Sequence, residues 1–322
     1  MKDDILSGEK EYIIDNYRNH FMNDLNVKLV KRQDGIFFVQ DGVEYNLYKL
    51  PKGFVIRGNV DLSNMGLTKL PNMSAVEIDG HFCCSLNPLK SLIGCPHTVR
   101  IFSCEYTDIR DMRGGPKLAE EVHVSHNRLI SLDGAPRTLM DDERLWEPNE
   151  EKYWVEFLEF DCSDNELTSL TGLPAGWDWI HCENNQITTL SAIESYASRS
   201  DEDIHVYCQN NNLTKLDISP RVKNIRICQF SGNPCTNRYI EYLLKKRGVV
   251  EKPSSVHIAA MVKALEDNEY DLEEIYVYAE DIRVANRALF NQKKIFDRGV
   301  SAVGALSNTK KQSAKPAGKG SR

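Results

Sequence analysis

One pattern returns along most of this chain and limits what it can fold into. The stretches "CSLNPLKSLIGCP" (84–96), "VSHNRLISLDGAP" (124–136) and "DCSDNELTSLTGLP" (161–174) carry the same residue types at the same offsets. With Cys162 as the register mark, equivalent positions are Leu62, Cys84, Cys104, Val124, Cys162, Cys182, Cys208 and Phe230. The intervals between them are 22, 20, 20, 38, 20, 26 and 22 residues. Self-similarity at such a period means stacked units, none of which can bury its apolar face alone.

The columns beside the mark say what each unit is. Two residues earlier stand Val60, Phe82, Phe102, Val122, Phe160, Ile180, Val206 and Cys228. Apolar residues at a spacing of two describe a short strand with one buried face. Three residues after the mark come Asn87, Asn127, Asn165, Asn185, Asn211 and Asn233, with Thr107 in place of Asn in the third unit. A side-chain amide both accepts and donates, so it can satisfy backbone groups where a strand bends into a loop. Two further apolar columns follow (Leu167 and Leu170 in the fifth unit). Gly94, Gly114, Gly134 and Gly172 then mark the return, each two residues before a proline (Pro96, Pro116, Pro136 and Pro174).

These columns resemble the leucine-rich repeat, L-x-x-L-x-L-x-x-N-x-L, with cysteine often in the third apolar slot. The short form F-x-C-S-x-N-x-L-x-S-L-x-G-x-P is similar to repeats common in bacterial and bacteriophage proteins. The resemblance covers residues 53–236, about eight rungs. It implies an α/β solenoid whose short parallel strands line a concave face, usually one that binds another macromolecule.

A solenoid needs its ends covered. Ile13, Tyr17, Phe21 and Leu25 predict an amphipathic helix over 9–25, and "VKLVKRQDGIFFVQDGVEYNLYKL" predicts a three-stranded meander, so 1–52 reads as an N-terminal helix plus β-meander cap. Residues 236–248 read as a closing helix, and 254–297 as further helix with a stripe of Leu272, Ile275, Ala279, Ile282, Ala285 and Leu289. Together 237–298 form the expected C-terminal helical cap. Residues 299–322 hold five cations and no acid and are expected to be a disordered basic tail with at most weak nucleic-acid contacts. Insertions are expected near 137–154 and 194–203, where the intervals lengthen.

Composition excludes several classes. A net charge of −7 does not suit a nucleic-acid binder, and no apolar run approaches the roughly 18 residues that span a bilayer. The acidic start "MKDDILSGEKEY" does not suit a signal peptide, which predicts the cytoplasm of a bacterial or phage-infected cell, a virion being the other setting. Nine cysteines then read as small core residues rather than disulfides or zinc ligands, and no cofactor is implied.

The candidate functional residues are those facing away from the core. Immediately before the mark lie His123, Asp161, His181 and Tyr207; two residues earlier, Glu121, Glu159, Trp179 and His205. Adjacent rungs are about 4.8 Å apart, so these should form two rows. Three readings stand: a solvated polar face, a protein-binding face, or a divalent-metal or hydrolytic site from His123, Asp161 and His181. No activated nucleophile, phosphate loop or HExxH helix accompanies the row, which predicts a protein without enzymatic activity. Trp179, Tyr207 and His181 are the expected anchors, with Trp146 and Trp154 in the acidic insertion beside them. Asp141, Asp142, Glu143, Glu150 and Glu151 then predict a partner with a basic surface. A structural or virion-associated assembly protein, joined through terminal helices and tail, is the alternative.

Overall fold

The computed structural model describes residues 26–138, 158–194, 203–246, 252–266, 277–278 and 281–287. The helix expected over 9–25, the basic tail, and Trp146 and Trp154 of the insertion lie outside the described residues, as do Leu272, Ile275, Ala279 and Leu289 of the expected stripe.

The chain forms a parallel β-solenoid of about seven turns. Its central row of strands is β5 (Val60–Asp61), β6 (Glu77–Cys83), β7 (Thr98–Ser103), β9 (Glu121–His123), β11 (Glu159–Asp161), β12 (Trp179–His181), β13 (Ile204–Tyr207) and β14 (Ile225–Gln229). The apolar column stacks in register, Val60 on Phe82, Phe102, Val122, Phe160, Ile180, Val206 and Ile227 in turn. Glu121–His123 pairs directly with Glu159–Asp161 although 38 residues separate equivalent positions, so the long interval leaves the stack unbroken.

A second, shorter parallel row lies upstream and was not visible in the columns. It joins β4 (Val55–Arg57), the start of β6, the start of β7, β8 (Leu118–Ala119) and β10 (Arg137–Thr138). A register shift between Ile78 and His81 divides it from the central row. The eighth rung also departs from simple spacing. A bulge at Cys228 pairs Val206 with Ile227 and Tyr207 with Gln229, so Cys228 leaves its expected column and Ile227 turns into the core. The outward place beside His205 falls instead to Arg226.

The core is one continuous cluster built from the mark column, the preceding column and the two leucine-type columns. All nine cysteines are free and buried. Burial drives the thiols of Cys83, Cys84, Cys95, Cys162, Cys182, Cys208, Cys228 and Cys235 upward, Cys83 to about 12 and Cys228 to about 11. They are core side chains held away from the thiolate form in which cysteine reacts.

The asparagine column joins each rung to the one before it. In the fifth rung, Asn165 Oδ1 accepts from Leu129 N at 2.9 Å, while Nδ2 donates to Val124 O at 3.0 Å, Cys162 O at 3.1 Å and Ser163 O at 2.9 Å. Asn87, Asn127, Asn185, Asn211 and Asn233 repeat the arrangement. The residue just before each column member takes a left-handed backbone: Asn64, Leu86, Tyr106, His126, Asp164, Asn184 and Asn210, with φ between 51° and 58°, and Gly232 at 68°. That conformation turns the chain out of the strand and sets the amide inward. It suits Asn, Asp and Gly and costs Leu86 and Tyr106 about 1 kcal/mol each. The return glycines meet a different demand. A Cβ at Gly94 would lie 2.7 Å from Pro71 O, and one at Gly134 would lie 2.8 Å from Arg113 N, because one rung's backbone packs on the last.

Both ends carry additional elements. A three-stranded antiparallel sheet, β1 (Val30–Arg32), β2 (Gly35–Gln40) and β3 (Val43–Asn46), buries Ile36 and Phe38 on one face. At the other end, helix α1 (Thr236–Lys246) buries Tyr239, Ile240, Leu243 and Leu244. Tyr239 Oη accepts from Leu216 N at 3.0 Å and donates to Asn286 Oδ1 at 2.6 Å. The helical segment 281–287 buries Ile282 and Ala285 and sends Arg283 to Val222 O. Helix α2 (Ser255–Glu266) precedes it. The helical pattern read over 254–297 is corrected at β15 (Val277–Tyr278), which pairs antiparallel with β14. The last parallel strand has open donors and acceptors, and the β-branched and aromatic pair Val277–Tyr278 supplies partners for them.

Thr107 bonds forward to Asn127 Oδ1 through both its N (2.8 Å) and Oγ1 (2.6 Å), and has no amide with which to reach back. Leu89 N therefore bonds within its own rung to Asn87 O at 2.8 Å, and the asparagine link between these rungs is missing. Thr107→Asn is expected to stabilise the fold by about 1 kcal/mol, and Asn165→Ala to destabilise it by about 2–4 kcal/mol through stranded backbone groups. Chemical denaturation of the two variants against wild type checks both signs.

Candidate functional site

The two expected rows exist. Glu121, Glu159, Trp179, His205 and Arg226 lie side by side on consecutive strands, as do His123, Asp161, His181, Tyr207 and Gln229. Regular alternation along each strand turns these side chains to the sheet face opposite the core. Most are half-buried; Gln229 is buried, and so are His81, Cys83 and Ser103 further along the same face.

Aromatic rings pack across the rungs. His181 stacks on Tyr207 with centroids 4.5 Å apart and planes within 6° of parallel. Trp179 lies 4.6 Å from His205 and 6.0 Å from Tyr207. These four rings form one platform across strands β12 and β13. Trp177 belongs elsewhere: it is fully buried and meets Phe160 edge-on at 5.1 Å, a core role. On the left-handed turn beside the face, Tyr106 stacks on His126 at 4.4 Å, and His126 reaches Asp164 at 3.8 Å.

Carboxylates surround the histidines. Glu121 lies 3.5 Å from His123, while His181 has Glu159 at 3.8 Å and Glu183 at 3.6 Å. Burial disfavours charge on His123, but the hydrogen bond its ring donates to Glu121 and the charges of Glu159, Glu105 and Asp161 outweigh it and lift its pKa to about 9. His181 is raised for the same reasons, against its burial, by Glu183, Glu159 and Asp161. His81 goes the other way. Burial and the charge on His123 push it down to about 3, leaving a neutral ring 2.8 Å from Ser103 Oγ. His205 is also lowered, by burial and by neighbouring Arg226. The face therefore separates into imidazoles whose charged form is favoured among acids at its centre and rings whose neutral form is favoured to either side.

Glu105 and Glu183, one residue after the mark, complete the centre. The usual occupant there is serine (Ser85, Ser125, Ser163, Ser231), so the substitution to glutamate in two rungs was the signal for them. Ser125 Oγ donates to Glu105 Oε1 at 2.7 Å, and burial raises the Glu105 carboxyl. His123, Asp161 and His181 share a row, yet among the described residues no three His, Cys, Asp or Glu side chains are grouped to hold a metal ion. No helix among the described residues is long and apolar enough to cross a membrane.

No family model matches the chain. No curated protein sequence matches it significantly either.

Two predictions come from this chemistry. A His123 pKa above the unfolded value of about 6.5 means its stabilisation is full below that pH and is lost as pH rises through 9. His123→Gln should therefore flatten the decline in stability between about pH 6.5 and 9, measured by denaturation across pH and referenced to wild type. The buried thiols act with the same sign at the alkaline end, and the wild-type comparison cancels them. Titration with a thiol reagent should meanwhile show the nine cysteines unreactive in the native protein and reactive after denaturation.

Proposed function

We propose that this chain is a leucine-rich-repeat protein without enzymatic activity that captures a protein partner. The sheet face and the 137–154 insertion would form the docking surface, in the cytoplasm of a bacterial or phage-infected cell. The observation that carries the reading is the platform of Trp179, His181, His205 and Tyr207, half-buried on hydrogen-bonded strands and facing away from the core. Aromatic rings on a rigid support lose little entropy on binding and supply the anchors that dominate interfaces. Acids beside the platform favour a partner with a basic surface.

A specific observation also favours the second reading, assembly through the C-terminal helices. Helix α2 is rich in apolar residues, yet Val256 is 73% exposed and Ala259 and Ala260 are exposed too. Such a helix suits packing between copies of the chain or within a particle.

Affinity capture from native host lysate, comparing wild type with Trp179→Ala/Tyr207→Ala, tests the leading reading. The double variant should lose its partner by about 30-fold or more, the scale of an interface anchor worth roughly 2 kcal/mol, with an unchanged circular dichroism spectrum. Identical capture, together with concentration-dependent self-association in light scattering, would move the function to α2.

A further inference from the structure

We propose that the trough between Glu105 and Glu183 receives the lysine or arginine side chains of a basic segment in the protein partner, an inference that rests on the partner-binding reading above. Rung order places Glu105, Ser125, Ser163 and Glu183 in succession one residue past the mark, two short side chains between two long ones. The residues beside them on the same rungs are Glu121, His123, Asp161, Glu159 and His181 on the face and His126 and Asp164 on the turn.

Both ends of the trough offer an acceptor without a donor. Glu105 is only 9% exposed; Ser125 satisfies its Oε1, while its Oε2 is buried with no hydrogen-bond partner in the protein. Its bond to Ser125, on the rung that carries His123, places it beside the centre of the face. Glu183 turns Oε1 to His181 and likewise leaves Oε2 buried and without a protein partner. A buried carboxylate oxygen lacking a donor is costly, and a donor that brings positive charge relieves the cost most.

The surrounding charges point the same way. Six carboxylates (Glu105, Glu121, Glu159, Asp161, Asp164 and Glu183) face three imidazoles (His123, His126 and His181). Arg226 and Arg128 are engaged elsewhere, Arg226 with Asp203 at 2.5 Å and Arg128 with Glu166 at 3.3 Å. Trp179 and Tyr207 lie at one flank and Tyr106 at the other, flat surfaces for a lysine stem or a guanidinium plane. From Tyr106 to Tyr207 the strip crosses four rung spacings, about 19 Å, the reach of an extended peptide of about six residues. That length suits a peptide segment better than an isolated ammonium ion.

The test is isothermal titration of the full chain with the nonapeptide Arg-Ser-Arg-Ser-Arg-Ser-Arg-Ser-Arg, with a Glu-Ser peptide of equal length and with spermidine. Three proteins are compared: wild type, Glu105→Gln/Glu183→Gln, and Asp133→Asn/Glu166→Gln, the last making the same charge change on the loop side. The expected result is Arg-Ser binding that weakens about tenfold in the first variant and within about twofold in the second, with no Glu-Ser binding. Equal weakening in both variants, or no Arg-Ser binding by folded wild type, would overturn the proposal. So would spermidine binding as tightly as the peptide with the same dependence on Glu105 and Glu183, which would assign the trough to small polyamines. The two readings fail separately. Loss of partner capture in the Trp179/Tyr207 variant with no effect of the glutamates sinks only the cation site; the converse sinks only the placement of the partner.

Discussion

The asparagine amide between rungs is the interaction on which the rest depends. A stack of short strands joined by tight turns leaves backbone groups that no sheet neighbour can reach. A buried asparagine in six of the rungs meets them, accepting from the previous rung and donating to carbonyls of both. Because the amide must point inward, the preceding residue must turn left-handed, and that in turn fixes where the strand ends. The face rows are parallel because every rung ends its strand in this way.

Chemistry on the face follows from that regularity. Each strand contributes two outward positions at fixed spacing, so a residue choice in one rung meets the choices in its neighbours directly. His123 is strongly basic because Glu121 shares its strand and Glu159 and Asp161 occupy the next one. His81, two rungs away with Ser103 between, is held neutral by burial and by the charge of His123. The same residue type thus takes opposite charge states within one sheet, determined by what the adjacent rungs carry.

Much of this was legible in the sequence, because column spacing is a direct copy of rung spacing. The stacking of Phe160 on Ile180, the inward asparagines and the alignment of Asp161 with His181 all followed from counting. Counting failed where the backbone slips. A bulge at Cys228 moves Ile227 inward and Arg226 outward, and nothing in the residue types of the eighth rung announces it. The upstream strand row was missed because its segments do not share the spacing of the central column. Strand β15 escaped because two residues, Val277 and Tyr278, fit a helical period as well as a strand. Glu105 was overlooked because its position holds serine in most rungs, and only the stacked structure shows how thoroughly it is buried.

The direct pairing of β9 with β11 across a 38-residue interval separates two quantities that are tied together in most folds. In a solenoid the pairing energy resides in the strands and in the amides between rungs. Lengthening a connection costs only the slow logarithm of loop closure, about 0.6 kcal/mol per doubling. The segment between Thr138 and Leu158 is therefore a place where new sequence can be tried, exchanged or removed while the scaffold keeps its register. A molecule built this way can change what it recognises without having to relearn how to fold.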